Sequence, residues 1–289
     1  VCGNLDLHVK LERELAQFKG YPACLLFGSG YLASLGGLPV LVGRDDHVFA
    51  DRLVHACLLD GIRLSGAKLH RFRHNDAGHL ADLLARHRGT ARALLVTETV
   101  FSMDGDLAPL SELTDLARRH DAMLWLDDAH ATGVHGPSGG GLSSLPGVRA
   151  HVTVAMGTFS KALGGYGGFL ALSEDMRELI MHRGRSFVFA TAPPPSTVAA
   201  ARAAIAEVQA HPEWGPALLT RATSFRADLQ RLGLDTMGST SQIVPVLIGD
   251  NQRAVRIGQH LREMGYIVGV VRPPSVPPVV YNDPAGQWI

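Results

Sequence analysis

Met123-Leu124-Trp125-Leu126-Asp127-Asp128-Ala129-His130 and, further along, Val152-Thr153-Val154-Ala155-Met156-Gly157-Thr158-Phe159-Ser160-Lys161 decide how this chain folds. In each, a short continuous apolar run gives way to polar or charged residues. Such a run does not alternate apolar with polar positions, so both of its faces must be covered. That is the pattern of a strand inside a parallel sheet. A third run, Ala93-Leu94-Leu95-Val96-Thr97, leads in the same way into residues 98–102. Helical periodicity lies between them. Leu110, Leu113, Leu116 and Ala117 share one face, Pro109 suits an early helical position, and Ser111 and Glu112 are favourable near the start. The pattern predicts an α/β protein with a mostly parallel central sheet flanked by helices. In open sheets of this kind the ligand crevice lies at the carboxyl ends of the strands, where the polar ends of all three runs would gather.

Composition excludes several classes of function. With 289 residues, 46% of them apolar and 19% charged, the chain can bury a large core and divide into two domains, and it is not disordered. Lysine plus arginine equals aspartate plus glutamate at 27 each, so no global basic field recruits nucleic acid or an anionic membrane. Cys2, Cys24 and Cys57 lack metal-ligand spacing and leave an odd number for any disulfide scheme, which makes a reducing cytoplasm the expected location. No apolar stretch approaches the roughly 20 residues that span a bilayer, and the beginning lacks the layout of a secretory signal. The chain begins at Val1, so an upstream segment can precede it. A domain boundary is expected at His211-Pro212-Glu213-Trp214-Gly215-Pro216, where proline and glycine interrupt an alanine-rich helical stretch at 197–210. This gives a large domain over 1–211 and a smaller α+β domain over 212–289. The smaller one is read as helix 217–232, strand 243–248, helix 252–264 and strand 266–271, with no pattern assigned after 277.

The chemistry concentrates in Lys161, within Gly157-Thr158-Phe159-Ser160-Lys161-Ala162-Leu163-Gly164-Gly165-Tyr166-Gly167-Gly168. A lysine among glycines is commonly a solvated loop residue, and Asp127-Asp128-Ala129-His130 alone is compatible with a turn or half of a metal site. In this order, at the ends of successive strands, they look like a site for pyridoxal 5'-phosphate. The lysine would form a Schiff base with the cofactor aldehyde, and an upstream carboxylate would keep the pyridine nitrogen protonated. Gly28-Ser29-Gly30-Tyr31 precedes a helical pattern whose first N–H groups can hold a phosphate. Taken alone it is more often a turn, and it is no dinucleotide fingerprint, because Ala33 stands where the third glycine would be.

These motifs, together with Ala50-Asp51-Arg52-Leu53-Val54-His55-Ala56 and Phe101-Ser102-Met103-Asp104-Gly105-Asp106, resemble those of the α-oxoamine synthases over about residues 3–277. That family is pyridoxal phosphate-dependent and of fold type I. The resemblance implies that Lys161 carries the cofactor and removes a Cα proton, that Asp127 pairs with the pyridine nitrogen, and that His130 hydrogen-bonds the phenolic oxygen. His55, which outside the family context reads as an ordinary helix-start histidine, would stack on the ring and face substrate. Gly30, Tyr31 and Thr158 would bind the phosphate and Ser102 would lie near the ring. Thr191 would reach the phosphate of a second subunit, which implies a homodimer, and Ser275 would touch substrate. The stretch Arg272-Pro273-Pro274-Ser275-Val276-Pro277 looks most like the biotin-pathway member, which condenses L-alanine with a pimeloyl thioester of coenzyme A or acyl carrier protein, releasing carbon dioxide and the thiol. Members that use glycine, such as glycine C-acetyltransferase or 5-aminolevulinate synthase, remain alternatives. After Pro277 the chain departs from the family's Gly-Thr and Arg-Leu-Arg pattern, and the family's N-terminal segment is not seen. The resemblance therefore also leaves open a truncated, smaller C-terminal domain and a non-catalytic cofactor-binding protein.

Overall fold

The computed structural model describes residues 3–273. In chain order it contains α1 (Asp6–Lys19), β1 (Ala23–Phe27), α2 (Gly30–Leu41), β2 (His47–Asp51), α3 (Ala56–Ser65), β3 (Lys68–Phe72), α4 (Ala77–His87), β4 (Ala93–Glu98), α5 (Leu110–Arg119), β5 (Met123–Asp127), α6 (Pro146–Arg149), β6 (Val154–Thr158), β7 (Gly168–Leu172), α7 (Glu174–Arg183), α8 (Arg185–Val188), α9 (Pro195–Ala210), α10 (Trp214–Arg231) and α11 (Asn251–Glu263). The seven strands form one sheet in the order β1-β7-β6-β5-β4-β2-β3. All neighbouring pairs from β3 to β6 are parallel, and β7 alone runs against its neighbours β6 and β1.

The apolar runs became central strands because both of their faces are covered. Leu94 and Val96 of β4 join Trp125, Val154 and Leu170 in a core under α2, α3 and α7, where Leu38, Leu58 and Ile180 pack. Ala93 and Leu95 point the other way, with Leu124 and Leu126, onto Leu80 and Leu84 of α4 and Leu113 and Leu116 of α5. On the same side, nearer β1 and β7, Leu11 and Leu15 of α1 meet Val198 and Ile205 of α9 over Leu26, Phe169 and Ala171. Pro109 sits at the N-cap of α5 rather than inside it. No helix among the described residues is long and apolar enough to cross a membrane.

Two expected strands are not seen among the described residues. Helices appear where expected, as α10 and α11, but residues 243–248 and 266–271 pair with no neighbour among the described residues. Apolar composition makes a strand only when an edge is available to complete its hydrogen bonds. The first run is tied instead by Leu247 N–H to Asp235 O at 2.9 Å, and the second leaves Tyr266 and Ile267 60% and 88% exposed. Residues 212–273 are thus helical, with extended segments that pair with no strand among the described residues.

Within α2, Gly37 allows the helix to lie directly on the sheet. A Cβ there would come within 2.6 Å of the Trp125 ring and 2.9 Å of Leu170. Glycine-to-alanine inside a helix ordinarily stabilises by about 1 kcal/mol. Here overpacking reverses the sign, and Gly37→Ala is expected to destabilise by about 1–3 kcal/mol in denaturant titration.

Candidate active site

Glu98, Asp127 and Thr158 are the last residues of β4, β5 and β6, and the register sets Glu98 beside Asp127. Asp127 is 4% exposed. One of its oxygens accepts the Ala129 N–H at 2.8 Å, which turns the chain towards His130. Burial pushes its carboxyl up to about 7; the Ala129 N–H opposes this, the charge of Asp128 adds to it, and Lys161 and Lys19 oppose it. Glu98 is buried as well, and burial followed by the Asp127 charge drives its carboxyl well above the usual range. Its Oε2 accepts the Ser102 N–H at 3.3 Å, whereas Oε1 has no partner among the described residues.

Lys161 follows β6 in a turn closed by Gly164 N–H to Lys161 O at 3.0 Å and Gly165 N–H to Phe159 O at 2.7 Å. Gly164 and Gly167 take φ of +59° and +118°, conformations that a side chain would strain. The lysine is exposed, and its positive charge acts on Asp127, His55 and His130 together. Burial, then Lys161, then His55 lower His130 to about 4, and burial followed by Lys161 lowers His55. Neutral imidazoles therefore face the lysine at physiological pH. His130 is further fixed through its carbonyl, which accepts from Gln242 at 2.6 Å, while Gln242 also pairs with His135 at 2.8 Å.

Beside these groups lies the start of α2. Ser29 caps the helix by accepting the Leu32 N–H at 3.1 Å. The N–H groups at a helix start lack intrahelical partners and lie at the positive end of the dipole. This end faces β6, since a Cβ on Gly30 would touch Thr158 and Met156 at 3.5 Å. A Cβ on Gly168 would collide with the Gly30 nitrogen, so glycine at the start of β7 is what admits the helix end. The Thr158 hydroxyl donates to Gly167 O at 2.7 Å and lies 2.9 Å from the Ser160 hydroxyl.

The structure thus brings Lys161, Asp127, His130, His55, Gly30 and Thr158 around the same strand ends. His55 is also the N-cap of α3, its Nδ1 accepting the Cys57 N–H at 3.2 Å, so the helix-start reading of that residue and its place facing Lys161 coexist. Ser102 reaches the group through its N–H to Glu98. Tyr31 turns its side chain aside, and its hydroxyl donates to Asp60 on α3 at 2.8 Å. Thr191 is exposed after α8 and makes no hydrogen bond among the described residues. Ser275 lies outside the described residues.

Sequence reasoning assigned no role to several groups nearby. Glu98 is one; its signal is a carboxylate closing an otherwise apolar run. A second is the buried pair of Lys19 and Asp128, at 2.6 Å. A third is His74, which bridges Asp51 at 3.0 Å and Asp106 at 2.8 Å, tying β2 to the 101–107 loop. Burial opposes its charge, but the hydrogen bonds to Asp106 and Asp51 prevail and raise it to about 10.

Comparison with known proteins agrees with this geometry. The family model described as aminotransferase class I and II matches residues 1–281. The chain belongs to this family. A curated 8-amino-7-oxononanoate synthase of Geobacter sulfurreducens is 50% identical over 281 residues, which is 96% of this chain and 71% of that protein. The serine palmitoyltransferase of Sphingomonas wittichii superposes with a TM-score of 0.91 at 35% identity, over 95% of this chain and 69% of that one. A structure of SPT with PLP gives 0.90 at 34%, over 95% and 70%. The fold is type I, and the family's cofactor is pyridoxal phosphate.

The residues present suit that group. A phosphate finds a helix start and two hydroxyls, while a protonated pyridine finds a buried carboxylate that no lysine or arginine neutralises directly among the described residues. Without such a partner, Asp127 is destabilising when charged. Its folded-state value is raised, so the native protein binds more protons than the unfolded chain between the ordinary carboxylate range and about 7, and stability falls as pH rises through that window. Cofactor-free Asp127→Asn is therefore expected to be more stable than the parent above pH 7, with the gain vanishing below about pH 4. Denaturation midpoints across pH check this.

Proposed function

We propose that the chain condenses L-alanine with a pimeloyl thioester, releasing carbon dioxide and the thiol, which is the 8-amino-7-oxononanoate synthase reaction of biotin biosynthesis. The observation that carries the reading is the convergence of Lys161, Asp127, His55 and His130 at the ends of β5 and β6 in a chain 50% identical to a curated synthase of that name.

Pyridoxal phosphate, when bound, supplies an electron sink for the carbanion left at the amino acid α-carbon. The remaining work belongs to the protein. Lys161 would hold the cofactor through its amine, and the same amine is placed to take the α-proton of the amino acid and to return one. Asp127 would keep a proton on the pyridine nitrogen by offering it a buried carboxylate. His130 presents its ring to the phenolic oxygen. His55, anchored by its cap bond to Cys57, covers one ring face and borders the substrate. The start of α2, through the backbone of Gly30 and Tyr31, would bind the phosphate, the Thr158 hydroxyl would join it by exchanging its bond to Gly167 O, and Ser102 would border the ring. Thr191, exposed on this chain, serves the site of a second subunit in a homodimer, and Ser275 contacts substrate. We assign residues 1–211 to a large cofactor-binding domain and 212–289 to a small one; the proline-interrupted break between α9 and α10 supports that division. The free, buried Cys24 and Cys57 accord with a cytoplasmic location.

The test is product formation from pimeloyl-coenzyme A or pimeloyl-acyl carrier protein, with L-alanine or glycine as the amino acid. Alanine-dependent release of carbon dioxide and thiol is expected, and Lys161→Ala should lower it by about a thousandfold or more. Turnover with glycine in place of alanine would assign the chain to another reaction of the family. Thioester-independent binding without turnover would make it a cofactor-binding protein.

A further inference from the structure

Lys19, the last residue of α1, has no exposed side-chain surface. Its ammonium donates to Asp128 Oδ2 at 2.6 Å, lies 3.4 Å from the Thr132 hydroxyl and sits over the Phe169 ring at 5.9 Å. Asp128 is equally buried. It accepts from the Thr99 hydroxyl at 2.6 Å and from the Ser143 N–H at 3.2 Å, and it is bonded by the Ser143 hydroxyl as well. Gly141 stands against both ends of the pair, where a Cβ would displace the carboxylate and the ammonium. A fully buried ion pair is a poor source of stability, because desolvation offsets most of its attraction. Its position suggests another role, since Asp128 is the immediate neighbour of Asp127.

We infer that Lys19 is a positioning residue for the cofactor site: by neutralising Asp128 and tying it to α1, it leaves Asp127 rather than Asp128 as the carboxylate that serves the ring, and it fixes the turn that carries Asp127 and His130. Three donors other than Lys19 hold the Asp128 carboxylate in place beside Asp127: the Thr99 hydroxyl and the Ser143 N–H and hydroxyl. The groups that act on Asp127 are Glu98 from β4, Cys57 from α3, Lys161 from the turn after β6, Asp128 from its own loop and Lys19 from α1. Of these, Lys19 is the one cation that does not itself react in the proposed mechanism.

The inference rests on the cofactor assignment above, and the experiment separates the two. Wild type, Lys19→Met, Asp128→Asn and the double variant are loaded with pyridoxal phosphate, and the visible absorbance of the bound cofactor is titrated with pH. An added negative charge near the ring stabilises the protonated chromophore, so Lys19→Met should raise the midpoint by about half a pH unit or more and Asp128→Asn should lower it. The double variant, with neither charge, should return to the wild-type midpoint. If Lys19→Met yields no folded protein, Asp128→Asn and the double variant carry the same test. Variants that melt earlier but keep the wild-type midpoint would reduce the pair to a structural role and overturn the inference alone. A wild-type protein with no visible band overturns the cofactor assignment itself.

Discussion

A carboxylate held inside the protein at the end of a central strand constrains everything around it. Asp127 cannot be solvated where it stands, and among the described residues no lysine or arginine pairs with it directly. The surrounding sequence reads as a set of answers to that problem. A backbone N–H turns back onto it, a lysine in the next turn faces it, and the neighbouring aspartate is neutralised from behind. A buried anion left without a counter-ion is costly unless a ligand supplies one. Under the proposed function, a cationic ring nitrogen is the group that would complete the site.

The sheet makes this arrangement possible. Parallel strands β4, β5 and β6 deliver their carboxyl ends to one edge, so that Glu98, Asp127 and Thr158 arrive together although they lie far apart in the chain. Reversal of β7 then brings the chain back beside β6, and Gly168 at its start lets α2 begin against the same edge. Phosphate-type donors and charge-bearing side chains meet there because both are consequences of strand direction. The neutral histidines follow from the same burial, which lowers His130 and His55 by desolvation before any neighbour acts.

Much of this was legible in the sequence. The three apolar runs became β4, β5 and β6, the periodic segment after Pro109 became α5, and Gly28-Ser29-Gly30 preceded a helix whose cap is Ser29. Patterns dominated by burial are legible because they depend on the segment's own composition. The runs at 243–248 and 266–271 were misread for the opposite reason, since a strand also needs a partner that composition cannot supply. Antiparallel β7 was likewise hidden, because a continuous apolar run does not reveal its direction. Within the site, motif residues such as Lys161 and Asp127 stood out. Lys19 and Glu98 did not, because a lysine at a helix end and a carboxylate at a strand end are ordinary in sequence. Only their burial makes them unusual.

Every role proposed at this site depends on Lys161 being the residue that holds the cofactor. Borohydride reduction of the protein loaded with pyridoxal phosphate, followed by peptide mapping, tests it most directly. A single stable pyridoxyl adduct is expected on the peptide containing Lys161. An adduct on another lysine, or none at all, would contradict it.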